Sequence, residues 1–71
     1  MKFRQCRYEY YQYDSKANWI IFREVGEPRF HTFHSTGAID YDYWFERDIK
    51  NLGFKKLSLL EAQRKMLNVP R

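Results

Sequence analysis

His31, His34 and Cys6 are the residues of this 71-residue chain best suited to metal or acid–base chemistry. Their spacing works against a metal site. On a strand, positions i and i+3 point to opposite faces, so the two histidines cannot share one ion. Cys6 and His31 share a predicted face, but two ligands do not make a zinc site. No metal and no cofactor is expected. His31 reads as a partly buried core histidine and His34 as a solvated one. RNA cleavage needs only a base, an acid and a cation, and His34, Arg23 and Tyr11 or Tyr13 fall on one predicted face. Against this, no nucleophile lies near a base in a familiar spacing. Gly26, Gly37 and Gly53 are isolated, so there is no glycine-rich phosphate loop. The chain is expected not to be an enzyme.

A stronger constellation is aromatic. Nine of the fourteen Phe, Trp and Tyr residues fall in the first 34 positions, interleaved with Lys2, Arg4, Arg7, Lys16, Arg23 and Arg29. In the strand register argued below, Tyr11, Tyr13, Trp19, Ile21 and Phe30 form one apolar patch edged by Arg7, Arg23 and His34. Tyr, Trp and Arg bury large areas while keeping a polar handle, which is why they dominate protein-interface hot spots. Aromatic rings on a sheet with nearby arginines also make a stacking platform for single-stranded RNA or DNA. These eight residues are the candidate partner-binding site. The expected function is a small accessory regulator or inhibitor docking on a larger protein complex; nucleic-acid binding through the same face is the alternative. A homodimer paired through this face also fits.

The elements that must position this patch read as follows. Residues 2–35 are rich in β-formers, broken at Asp14-Ser-Lys-Ala-Asn18 and at Gly26-Glu27-Pro28, both turn compositions. Three strands follow, over about 3–13, 19–25 and 29–35. A two-residue loop at Gly26-Glu27 sets Phe22 opposite His31, Ile20 opposite Phe33 and Glu24 opposite Arg29. A loop over 14–18 sets Tyr13 opposite Trp19, Tyr11 opposite Ile21 and Glu9 opposite Arg23. Each register yields an opposite-charge pair. Side chains then alternate, with Cys6, Tyr8, Tyr10, Ile20, Phe22, His31 and Phe33 on the face opposite the patch.

The second half reads as helical. Asp40 caps a helix over about 41–52, with Asp42 in its first turn and Tyr41, Trp44, Phe45, Ile49 and Leu52 on one face. Gly53 is its C′ residue, with Phe54 folding back. Ser58-Leu-Leu-Glu61 is a capping box opening a second helix over about 59–67, ended by Asn68 and Pro70. A helix-turn-helix is disfavoured, because the connection is long and the second helix presents few polar side chains for reading bases. The predicted fold is α+β: a three-stranded antiparallel β-meander followed by two short C-terminal helices packed on one sheet face. Trp44, Phe45, Ile49, Leu52, Leu60, Met66 and Leu67 are expected to fill the core, leaving the other face open.

Size and charge bound this reading. Residues 1–71 make one small domain, which buries only about 60% of the surface its unfolded chain exposes. The net charge of +4 permits a polyanionic partner without a dense basic stripe to demand one. A single cysteine forms no internal disulfide, which suggests a reducing, cytoplasmic setting. Met1-Lys-Phe-Arg4 has no apolar signal-peptide region, and Trp19–Phe22 is too short to cross a membrane.

Overall fold

A computed structural model describes residues 7–66, 68 and 69. Expectations for Lys2, Arg4, Cys6, Leu67 and Pro70 lie outside these residues. The chain is α+β, as expected. Among the described residues its sheet has five strands rather than three: β1 (Tyr8–Gln12), β2 (Trp19–Glu24), β3 (Arg29–His34), β4 (Ile39–Phe45) and β5 (Lys55–Leu57), in the order β4-β3-β2-β1-β5, with each neighbouring pair antiparallel.

The register of the first three strands is the one the turns and charges dictate. Tyr11 pairs with Ile21 and Glu9 with Arg23; Phe22 pairs with His31 and Ile20 with Phe33. Gly26, at φ 101, supplies the positive φ that the β2–β3 turn requires.

The predicted helix over 41–52 divides. Its first half is β4. Ile39-Asp40-Tyr41-Asp42 alternates with period two, and Tyr, Trp and Phe favour strands. Gly37, at φ 95, turns the chain back: its N–H donates to the His34 carbonyl at 2.8 Å, and the His34 N–H donates to the Ala38 carbonyl at 2.9 Å. Asp40 is therefore a strand residue and not a cap. A bulge sets Tyr41–Tyr43 against His31 alone, which offsets the register by two and leaves the alternation of faces intact. The second half is helix α1 (Glu46–Leu52), where the Phe45 N–H donates to the Asp48 carboxylate at 2.9 Å. Gly53 closes α1 at φ 78, and the Phe54 N–H donates to the Ile49 carbonyl at 3.0 Å.

Helix α2 (Leu59–Lys65) begins at the expected capping box. Ser58 N–H donates to the Glu61 carboxylate at 2.8 Å, and Glu61 N–H donates to the Ser58 hydroxyl at 3.1 Å. The Ser58 backbone N–H foremost, and then the Ser58 hydroxyl, hold the Glu61 carboxyl below its ordinary range.

The two helices do not share a face. Ala62 and Met66 of the α2 region pack with Tyr10, Ile20, Phe22, Phe33, Leu57 and Val69. Ile49 of α1 packs with Ile21 and Phe30 on the other side of the sheet. The cause is β5. It pairs Leu57 with Tyr10 at the sheet edge, so the chain reaches this edge from one face and leaves it onto the other. Each face receives one short helix and is covered only in part. Phe45, Leu52 and Leu60, expected in the core, are exposed, because the short helices bury little beyond Ile49, Ala62 and Met66.

Candidate functional site

The eight residues of the predicted patch share the α1 face or its margin, and the structure separates them by role. Ile21 and Phe30 have no exposed surface and form the floor beneath α1. Tyr11 is half-buried, with its ring edge-on to Phe30 at 5.4 Å and 87°. Arg7 is exposed, and its carbonyl accepts the Val25 N–H at 2.9 Å.

Arg23 is committed to the fold. Its Nε donates to Glu9 at 2.9 Å, one terminal nitrogen to Glu46 at 3.0 Å, and the other to the Glu27 carbonyl at 2.9 Å. Its guanidinium lies 4.5 Å from the centre of the Phe30 ring, the arrangement of a cation–π contact. Burial opposes its charge, but the hydrogen bonds and charges of Glu46 and Glu9 outweigh that and hold the guanidinium above its ordinary range. This side chain ties β1, β2 and the start of α1 together.

His34 sits opposite Trp19 and shares a 2.9 Å hydrogen bond with Asp40 of β4. Arg23 and Trp19 stand four residues apart on β2, about 13 Å at strand rise. The predicted trio for RNA cleavage is thus spread along the sheet, with its arginine and its histidine each bonded to carboxylates. Among the described residues, no three His, Cys, Asp or Glu side chains come together as a metal site.

What the structure does bring together is an aromatic cluster at the end of the face that holds the 14–18 loop. Tyr13 and Trp19 lie near-parallel, 6.5 Å apart. Trp19 and Trp44 are near-parallel at 6.2 Å. Phe54 meets all three, at 5.3 Å from Tyr13, 6.2 Å from Trp19 and 5.3 Å from Trp44. Trp44 leans over the small Thr32 side chain, to whose hydroxyl its indole N–H donates at 3.3 Å. Trp19, Trp44 and Phe54 are half-buried, while Tyr13 is 55% exposed. Trp44, expected in the core on a helix, and Phe54, expected to fold back onto that helix, are not among the eight predicted patch residues. The period-two pattern of β4 was the available signal for Trp44, whereas Phe54 was already expected to fold back and joins the cluster because β5 carries it to the sheet.

The α2 face carries a second row of rings. Tyr8, Phe22, His31 and Tyr41 cross four adjacent strands with successive centroid distances of 5.9, 6.1 and 5.3 Å. Tyr41 is 70% exposed. This row lies beside the footprint of α2, which packs on β1 and β5.

No protein family, curated protein or solved structure matches this chain. No helix among the described residues is long and apolar enough to cross a membrane.

Proposed function

We propose that this chain is a small non-enzymatic binding protein, an accessory regulator or inhibitor that docks on a larger protein through the Tyr13–Trp19–Trp44–Phe54 cluster. The observation that carries this reading is that aromatic surface stays open after both helices are placed. Tyr13 caps a cluster that α1 covers only in part, and Val25, Ile39, Tyr41, Phe45, Leu52, Leu59 and Leu60 are exposed as well. Exposed apolar area on this scale in so small a domain suits a protein partner. Arg23, one of the two arginines expected to edge the patch, is occupied by carboxylates, which favours a protein over a phosphate backbone. The cytoplasm suits the single cysteine.

The test is capture of partners from native-host lysate with tagged protein, with and without nuclease. Wild type is expected to retain a protein partner through nuclease treatment, and Tyr13→Ala, a change at an exposed ring, is expected to lose it while melting near the wild-type temperature. Capture abolished by nuclease would transfer the site to nucleic acid, and equal capture by Tyr13→Ala would remove the cluster from the interface.

A further inference from the structure

We propose that the partner presents an acidic segment, with one apolar side chain seated between α1 and β1 and its carboxylates on Lys50 and Lys56. The proposal rests on the binding reading above and specifies the chemistry of what is bound.

A groove of about 290 Å³ runs along the α1 face beside the aromatic cluster. Tyr11, Phe30, Ile49 and Phe54 give it an apolar lining, and Lys50 and Gly53 of the α1 terminus form its wall. Glu46 lies at its far end, already held by Arg23. Lys56 pairs with Tyr11 across the β1–β5 ladder, so its side chain leaves the sheet on this same face. A pocket of this size takes one or two side chains and falls at the lower limit for a small molecule.

The groove carries one acid and one base, Glu46 and Lys50, and of these only Glu46 is held in an ion pair. Among the described residues, neither Lys50 nor Lys56 takes part in an ion pair, and neither does Lys16 in the adjoining loop. The Asp14 carboxylate accepts the Lys16 backbone N–H. The carboxylates of this face are engaged: Glu46 of the groove and Glu9 are bound to Arg23, and Asp40 to His34. The two sheet edges differ accordingly. Edge strand β5 carries Lys55 and Lys56, and edge strand β4 carries Asp40 and Asp42 with no base. The Tyr11 end of the groove adjoins the basic edge. Two lysines beside an apolar slot fit carboxylates flanking an apolar residue. They do not form the run of cations that tracks a phosphate backbone.

Fluorescence anisotropy of short labelled peptides against the purified chain tests this. A peptide alternating glutamate with leucine is expected to bind and to weaken as salt rises. Replacing its leucines with serine, or its glutamates with lysine, is expected to reduce affinity at least tenfold. Lys50→Glu with Lys56→Glu is expected to cost about tenfold, and the paired change to glutamine about threefold, the scale of two exposed charge contacts. The glutamine pair guards against a folding defect from charge reversal in the last turn of α1.

Equal binding of the lysine–leucine peptide overturns the proposal, as does affinity unchanged in both paired variants. Tighter binding of oligothymidylate than of any peptide assigns the groove to nucleic acid. Self-association in light scattering that both paired variants abolish assigns it instead to the acidic edge of a second copy. If a host protein is captured in a Tyr13-dependent way but equally well by the charge-reversed variant, the acidic-segment proposal falls and the binding reading stands. Loss of Tyr13-dependent capture altogether removes both.

Discussion

Arg23→Ala should be among the most damaging single changes on the α1 face, and the structure says which of its contacts matters most. The Arg23–Glu9 pair, at 2.9 Å, joins side chains only 14% and 21% exposed, whereas Glu46, at 3.0 Å, is 68% exposed. A charge-assisted hydrogen bond in the first setting is worth about 1.5–3 kcal/mol. The second, screened by water, is worth about 0.2–1 kcal/mol. The contact with Phe30 adds about 0.5–1 kcal/mol. These overlap, so a loss of about 2–3 kcal/mol is expected, out of roughly 4–10 kcal/mol for a domain of this size. At about 4–8 °C per kcal/mol, the melting temperature should fall by about 10–20 °C. Urea unfolding followed by tryptophan fluorescence gives the stabilities, and two double-mutant cycles apportion them. Coupling of Arg23 to Glu9 should reach about 1.5 kcal/mol and survive 0.5 M salt; coupling to Glu46 should be about 0.5 kcal/mol and fade. A Glu46 coupling equal to or above that of Glu9 would refute the argument from burial. An Arg23→Ala variant within about 0.5 kcal/mol of wild type would refute the view that this side chain fastens α1 to the sheet.

Trp19→Ala removes a ring that touches three others, so it should cost about 2–4 kcal/mol in urea unfolding; a loss below about 1 kcal/mol would mean the cluster does not pack as a unit. Partner loss in that variant is therefore less informative than in Tyr13→Ala. Because the folded Glu61 carboxyl titrates below the ordinary glutamate range, the folded state binds fewer protons there than the unfolded chain. Its stabilisation is complete above that range and is lost as pH falls through the folded value. Thermal melts between pH 7 and pH 3 should show this, and Glu61→Gln should flatten that part of the profile; an unchanged profile would sink the assignment.

The register of β1, β2 and β3 was legible because two turn compositions and the Glu9–Arg23 pair agree on it. Strand β4 was not, because Tyr41, Trp44 and Phe45 satisfy helical spacing and strand preference together. Gly37 and the turn it makes decide between them, and a lone glycine is a faint signal. Strand β5 has only three residues, too few to display a period. Missing it put both helices on one face, since the helical pattern of Ala62 and Met66 does not say which side of the sheet they will meet. The aromatic cluster was legible to the same depth. Register places Tyr11, Tyr13, Trp19, Ile21 and Phe30 on one face, but does not say that Ile21 and Phe30 are the floor that α1 covers. The carboxylates that occupy Arg23 are half legible: Glu9 from register, Glu46 only once α1 is seen to start there.

The β1–β5 ladder also bears on how the chain is made. Tyr10 emerges from the ribosome long before Leu57, its partner. The meander can form early, yet both of its faces stay bare until residues 46–66 have emerged. For that interval the nascent protein exposes Phe22, Phe30 and Ile21, all buried once α1 and α2 arrive. Translation speed over the codons for residues 46–66, and any chaperone able to hold an aromatic sheet, should therefore govern yield more than the stability of the finished fold does.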